Sequence, residues 1–202
     1  MFDRVKFLKM ALSLPILFGL MRYTINQGDY HRNEILFILA SGVFLFLCIN
    51  YFQKTNIVTF GSLSRKQVLQ IILFLVLDLL FLCIYSSIFN VTSGASSDFA
   101  EKRINGYSIS FMLGIAVFSP IEEELFIRGA IQKGAFHNSH LGLLLTSCFF
   151  AYLHDPSDLV SFDYFAISGL IYGSSYKVSD NLLVPALCHI GHNSFVMITS
   201  LL

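Results

Sequence analysis

Long apolar segments recur along the whole chain and constrain its fold more than any other feature. They cover residues 7–23, 35–52, 68–90, 107–118, 141–153, 162–176 and 182–202. A helix that spans a bilayer needs about 20 predominantly apolar residues. Segments 35–52 and 68–90 satisfy this, whereas the others need polar residues at one end to complete a span. The pattern predicts an all-α, multi-pass transmembrane helical bundle of about six to eight helices.

The composition supports a membrane location. Of the 202 residues, 55% are hydrophobic and 13% are charged, against about 25% charged in an average soluble domain. We therefore expect a multi-pass protein in contact with membrane lipids. The chain has 21 phenylalanines and no tryptophan, which favours a bacterium of low genomic GC content and hence the bacterial plasma membrane. Acidic and basic residues number 13 each, which argues against a nucleic-acid partner because such partners select a basic face.

Two polar loops, at 53–66 and 90–106, divide the apolar segments. The second loop is the better candidate for a seam between two halves, because three largely plain spans lie before it and most of the polar residues within apolar segments lie after it. We therefore divide the chain into N-terminal membrane helices and loops at 1–105 and a chemical core at 106–202, both within one integrated membrane domain. The sequence predicts no oligomeric state.

Several small residues lie within the apolar segments. Gly169 and Gly173 are one helical turn apart, a spacing that lets two membrane helices approach closely. The four cysteines have neither CxxC nor metal-ligand spacing. We expect all four to be small buried hydrophobes; they are Cys48, Cys83, Cys148 and Cys188.

Ionisable and amide side chains also lie within apolar segments, where each charge costs about 2.5–3.5 kcal/mol to insert. Glu124 and Arg128 are four residues apart, which predicts an ion pair on one helix face. His189 and Asn193 have the same spacing and share a face. With Glu123 and His154 they occupy three segments. Their convergence would form a polar cavity inside the membrane, with groups suited to activating water and stabilising an oxyanion.

The neighbouring residues carry further expectations. Pro120 suits the first turn of a helix, so we expect the glutamates to begin a helix after it. Asp78 is expected to be satisfied by another helix or a loop, with a place in the cavity lining as the alternative. His192, three residues beyond His189, is expected to be incidental, and Glu122 lies outside any recognised pattern.

Three motifs in order resemble the CAAX protease and bacteriocin-processing family of intramembrane proteases, also called CPBP or Abi. "EELFIRG" matches its EExxxR motif, "FAYLH" its FxxxH motif and "HIGHN" its HxxxN motif. The resemblance covers residues 106 to 200. Ile127 stands where the family often has phenylalanine, and Glu122 and His192 are additional polar residues.

This resemblance implies a function and a set of roles. The chain would be an intramembrane endopeptidase in which Glu123 activates a water molecule and His154 helps to hold it. His189 and Asn193 would stabilise the oxyanion of the tetrahedral intermediate. Glu124 and Arg128 would form a structural ion pair within the catalytic constellation.

The identity of a cofactor stays open at the level of sequence. The HExxH motif is absent, but Glu123, His154 and His189 are ligand types that zinc accepts in catalytic sites. The same residues can activate water without metal, and we favour that mechanism slightly.

The substrate and the alternatives to an enzyme also stay open. Substrates would be membrane-associated peptides or proteins, such as bacteriocin-like or pheromone-like precursors, with a role in self-immunity as a further option. Prenylated CAAX-type peptides are the less favoured choice. The alternatives are a non-catalytic immunity or regulatory scaffold of the same fold, and a small transporter that relays protons.

Overall fold

The computed structural model of the chain describes residues 4–26, 32–93 and 106–201. Within these ranges the chain is helical almost throughout, and the prediction of an all-α helical bundle is confirmed. Seven helices follow one another: α1 (Arg4–Asn26), α2 (Glu34–Thr55), α3 (Arg65–Ile88), α4 (109–135), α5 (His140–Leu153), α6 (Leu159–Ser179) and α7 (Leu183–Leu201).

Two of these helices, α2 and α3, are long and apolar enough to cross a membrane. They correspond to the predicted segments 35–52 and 68–90. Most of the α3 surface is exposed apolar side chain, and within this fully described helix the one buried residue is Asp78. An apolar helix with so little of its surface covered by protein is suited to contact with lipid tails.

Helix α4 is continuous through Pro120, so the expectation that a helix begins after this proline is wrong. α-Helical turns at Ile109–Leu113 and Ser119–Glu124 alternate with π-helical turns at Gly114–Phe118 and Leu125–Ala135. The π-helical spacing directs the Ser119 N–H to the carbonyl of Gly114. This wider turn accommodates the proline, which lacks an N–H and would otherwise interrupt an α-helical ladder.

Helices α5 and α6 pack closely because α6 carries glycine where the two backbones meet. A Cβ at Gly169 would lie 3.1 Å from the Ser147 Cα and 3.2 Å from its carbonyl oxygen. The carbonyls of Gly169 and Gly173 are also used, since they accept hydrogen bonds from the buried side chains of Arg128 and Gln132. The small-residue spacing therefore brings α4, α5 and α6 together.

The expectation that all four cysteines are buried is wrong for two of them. Cys48 and Cys188 are buried, but Cys83 and Cys148 are exposed on the surfaces of α3 and α5. Both exposed cysteines lie in apolar helices, so their thiols lie on faces that we expect to contact lipid. Burial within the protein differs from exclusion from water in such a bundle, because lipid can also exclude water. Sequence hydropathy reports only exclusion from water.

The connection from α5 to α6 contacts the segment that follows α3. Ser93 pairs with Pro156, and the Ser157 N–H donates to the carbonyl of Thr92. Asp158 caps α6 by accepting a hydrogen bond from the Ser161 N–H at 2.7 Å, and this bond lowers the pKa of the exposed Asp158 carboxyl. The predicted seam at 90–106 lies largely outside the described residues, which omit 94–105.

Candidate active site

The buried centre of the site is an ion pair on α4. Nε of Arg128 lies 3.2 Å from Oε2 of Glu124, and both side chains are almost fully buried. Nη2 of Arg128 donates to the Gly169 carbonyl at 3.0 Å, and the guanidinium lies over the Phe150 ring. These contacts fix α4 against α5 and α6, because a buried charge needs both a counter-charge and hydrogen-bond partners.

Glu124 also contacts α7 through its second carboxylate oxygen. Its Oε1 lies 3.1 Å from Nδ1 of His189, and both side chains are buried. The carboxylate accepts, so Nδ1 donates and the remaining ring nitrogen, Nε2, is directed away from Glu124. The Tyr172 ring stacks on this imidazole, with 4.7 Å between centroids and 17° between planes. Glu124 therefore bridges Arg128 and His189 and holds the imidazole in a defined orientation.

Glu123 pairs with a different histidine. Its Oε2 lies 3.9 Å from Nε2 of His154, and the two side chains are 30% and 21% exposed. Nδ1 of His154 donates to the Phe150 carbonyl at 2.8 Å, which leaves Nε2 as the nitrogen that faces Glu123. A separation of 3.9 Å exceeds a direct hydrogen bond but allows one water molecule to contact both groups. This pair is the more exposed part of the site.

Phe150 joins the two acid–imidazole pairs. Its ring lies 4.3 Å from the His154 ring and 5.6 Å from the His189 ring, measured between centroids. The two glutamates are consecutive, so their side chains leave the helix about 100° apart and reach different partners. The six predicted site residues thus lie on α4, α5 and α7, with the pairing Glu123–His154 and Glu124–His189.

Asn193 is held against the π-helical part of α4. Its Nδ2 donates to the carbonyl of Ile115 at 2.9 Å. At π-helical spacing this carbonyl would receive the N–H of Pro120, which proline lacks. Asn193 therefore donates to a carbonyl that Pro120, which has no N–H, cannot serve from within α4. One amide hydrogen remains on Nδ2 for another acceptor.

Glu122 points away from these pairs. It lines a small apolar space between α1, α2 and α4, together with Cys48, Leu125 and Phe126. None of the site histidines or Arg128 contributes to that lining. Glu122 is thus an internal comparison for its neighbour Glu123, since the two share chemistry and helix but face different surroundings.

Sequence reasoning missed a second polar network beside the site. Asp78 on α3 is fully buried, and its Oδ2 lies 2.6 Å from Nδ1 of His192 and 2.8 Å from the Tyr172 hydroxyl. The Tyr164 hydroxyl lies 3.4 Å from Nε2 of His192. These contacts agree with the expectation that another helix satisfies Asp78. The expectation that His192 is incidental is wrong, because its imidazole contacts this buried carboxylate. The signal in the sequence was that Asp78 and His192 are polar residues within apolar segments.

The three zinc-ligand candidates, Glu123, His154 and His189, do not form a common donor set. Nowhere in 4–26, 32–93 or 106–201 do three or more His, Cys, Asp or Glu side chains group closely enough to hold a metal ion. Nδ1 of His189 is used by Glu124 and Nδ1 of His154 by a carbonyl. The arrangement of these described residues does not fit a preassembled three-ligand site.

The fold and site define a class of protein: an apolar helical bundle that carries two carboxylate–imidazole pairs among its packed helices. Residues 105–195 match the family described as type II CAAX prenyl endopeptidase Rce1-like. Over these residues the chain is similar to that family, which confirms the resemblance drawn from the three motifs. No curated protein and no solved structure matches the chain.

The match has direct consequences. The matched family is one of membrane-embedded proteases, which supports a membrane location and CAAX-type protease activity, that of a hydrolase, for this chain. The matched region contains α4, α5, α6 and about two thirds of α7, and thus every residue of the two acid–imidazole pairs. Asp78, on α3, lies outside it.

Proposed function

We propose that the chain is a multi-pass intramembrane endopeptidase of the bacterial plasma membrane, which hydrolyses membrane-associated peptides or proteins with a water molecule activated by Glu123. The observation that carries this proposal is the position of Glu123. Its carboxylate faces Nε2 of His154 at 3.9 Å, is partly accessible, and carries a buried Oε2 without a hydrogen-bond partner among the described residues. A general base needs this combination of access, reach and an available lone pair.

The proposed reaction starts with a water molecule between Glu123 and His154. Glu123 accepts a proton from it, and the oxygen adds to the carbonyl carbon of the scissile peptide bond. His154 holds the water through Nε2, because its Nδ1 hydrogen is already committed to the Phe150 carbonyl. A general base at such a position contributes about 10²–10⁴-fold to the rate.

The tetrahedral intermediate carries a negative oxygen that needs donors. His189, protonated on both nitrogens, donates Nδ1–H to Glu124 and offers Nε2–H to the oxyanion. Asn193 offers the amide hydrogen not used by Ile115. Glu123 then delivers its proton to the leaving nitrogen as the carbon–nitrogen bond breaks, giving a carboxylic acid and an amine. Fixed donors of this kind stabilise a developing charge without further reorganisation.

The proposed roles of Glu124 and Arg128 are to hold the imidazole of His189. Both are nearly fully buried, whereas Glu123 and His154 are accessible. Both carboxylate oxygens of Glu124 are already engaged, one by Arg128 and one by His189, so this pair acts through the orientation of the imidazole. The ion pair therefore belongs to the site by fixing His189 and the packing of α4 against α6.

The deciding experiment compares two neighbouring glutamates. The purified protein in liposomes is given quenched fluorescent peptides: an unlipidated hydrophobic precursor-like peptide and a peptide with a prenylated carboxyl-terminal CAAX cysteine. Glu123→Gln should abolish cleavage, whereas Glu122→Gln, which changes a glutamate facing the α1–α2 side, should retain it. Cleavage of the first peptide supports precursor processing, and cleavage of the second supports CAAX-type specificity. If neither wild type nor Glu123→Gln cleaves either peptide, a non-catalytic immunity scaffold is favoured.

A further inference from the structure

The buried network on α3 is linked to the site by a continuous series of contacts. Oδ2 of Asp78 accepts the Tyr172 hydroxyl hydrogen at 2.8 Å. The ring of the same tyrosine stacks on His189, and His189 contacts Glu124. Asp78 is thus linked through one residue, Tyr172, to His189, on which the proposed function depends.

Asp78 makes a second contact with the same helix. Nδ1 of His192 donates to Oδ2 of Asp78 at 2.6 Å, and Nε2 lies 3.4 Å from the Tyr164 hydroxyl. The carboxylate fixes the tautomer of His192, since only a nitrogen that carries hydrogen can donate to it. His192 is one turn beyond His189 on α7. One carboxylate therefore restrains both the rotation of α7 and the ring that stacks on its functional histidine.

The burial pattern of α3 supports a specific role for this contact. Asp78 is the buried residue of a helix whose other side chains are at least partly exposed. The apolar packing of α3 against the bundle could be supplied by leucine at this position. A carboxylate within an apolar span is retained at a cost to insertion and is a functional-site candidate by default.

We propose that Asp78 is a positioning residue for the protease site: through Tyr172 and His192 it sets the orientation in which His189 faces the reacting carbonyl. This inference rests on the proposed function, and it extends the site beyond the family-matched region to α3. Asp78 itself does not contact reactants. Loss of its carboxylate should lower kcat with little change in KM, because substrate contacts remain while the oxyanion donor is misplaced.

The test uses Asp78→Leu and Tyr172→Leu, with Tyr176→Phe as the matched control. Tyr176 is another buried tyrosine, one turn beyond Tyr172 on α6, and its hydroxyl has no partner among the described residues. Both leucine variants should lower kcat by about 10²-fold, the usual effect of displacing a reacting group by about 1 Å. Tyr176→Phe should match wild type. Unchanged kcat in Asp78→Leu would overturn the proposal.

A second measurement does not depend on cleavage. In ¹⁵N-histidine spectra of the detergent-solubilised protein, Asp78→Leu should shift the ring signals of both His192 and His189. In a Tyr172→Leu background the same change should shift His192 as before and His189 less, because the stack is gone and only the route through His192 and α7 remains. Unchanged His189 signals would overturn the positioning role even if kcat falls. If wild type and Glu123→Gln are equally inactive, the proposed function fails, and these spectra still decide whether Asp78 orients His189.

A conservative pair guards against loss of folding. Asp78→Asn keeps an oxygen that can accept from Tyr172, and Tyr172→Phe keeps the ring that stacks on His189. Both should accumulate in the membrane and show losses of kcat smaller than those of the leucine variants. We expect kcat to decrease in the order wild type, Asp78→Asn, Asp78→Leu. An asparagine variant as slow as the leucine variant, with unchanged His189 signals, would contradict the proposal.

Discussion

Oε2 of Glu123 lies 3.9 Å from Nε2 of His154, and this pair is more exposed than the buried Glu124, Arg128 and His189 beside it. The next residue on the helix, Glu124, directs its carboxylate to His189 and Arg128 instead. Two chemically identical side chains are therefore divided between different surroundings by one helical step. The division accounts for the double glutamate of the motif: one carboxylate is free to accept a proton, and the other is used to hold its neighbours.

Replacing the histidine of the accessible pair should affect chemistry more than folding. His154→Ala is expected to lower kcat by about 10²-fold or more, because the water is no longer held beside Glu123. His140→Ala changes an exposed histidine at the start of the same helix and should leave peptide cleavage and thermal unfolding unchanged. If His154→Ala cleaves as fast as the control, His154 has no role in holding water.

Breaking the buried ion pair should affect stability first. Arg128→Leu leaves Glu124 buried without its cation, a change that typically costs about 3–5 kcal/mol. Thermal unfolding of the detergent-solubilised protein, followed by circular dichroism, should show a large loss. Replacing both partners, Glu124→Leu with Arg128→Leu, should recover part of it, because no uncompensated charge remains. A double variant less stable than Arg128→Leu would show that the His189 contact outweighs the ion pair.

The contact between α7 and the π-helical turn gives a prediction for Asn193. Asn193→Asp replaces the donor that reaches the Ile115 carbonyl with an acceptor, so this hydrogen bond is lost. A net loss of about 0.5–1.5 kcal/mol of stability is expected, together with lower kcat. Pro120→Ala should partly compensate for the loss of stability, because alanine has an N–H to offer the same carbonyl. A double variant no more stable than Asn193→Asp would exclude this account.

The close approach of α5 and α6 should make Gly169 intolerant of even one methyl group. Gly169→Ala places a Cβ 3.1 Å from the backbone of Ser147, which cannot move aside as a side chain can, and overpacking of this kind typically costs about 1–3 kcal/mol. Gly42→Ala in α2 meets no atom within 4 Å and should be neutral or stabilising, by up to about 1 kcal/mol. Equal unfolding temperatures for the two variants would contradict close packing at Gly169.

Removal of metal separates the two mechanisms left open by the sequence. If Glu123 activates water without a metal ion, incubation with 1,10-phenanthroline followed by gel filtration should leave the cleavage rate unchanged. A loss of activity that added zinc restores would instead assign Glu123, His154 and His189 to a metal site. The non-chelating isomer 1,7-phenanthroline serves as the control for direct inhibition by the aromatic compound.

The helical architecture could be predicted from the sequence because it depends on local properties. Apolar runs of spanning length and helical spacings of three and four residues predicted the segments that became α2 and α3, and the geometry of Glu124 with Arg128 follows from a spacing of one turn. The predicted start of a helix at Pro120 was wrong, because a preceding π-helical turn accommodates a proline that lacks an N–H, and the helix continues through it. Such a turn has no simple sequence signature, since it depends on the hydrogen bonds available around it.

The sequence by itself determined that polar groups lie within apolar helices, and the three motifs indicated the family that this part of the chain resembles. Only the tertiary structure decided their partners: Glu123 with His154, Glu124 with His189, and Asp78 with His192 and Tyr172. Helical periodicity fixes the direction of a side chain relative to its own helix. The rotation and depth of each helix against the others depend on contacts between residues far apart in sequence, such as Gly169 with Ser147, so the pairing emerges only when the helices pack.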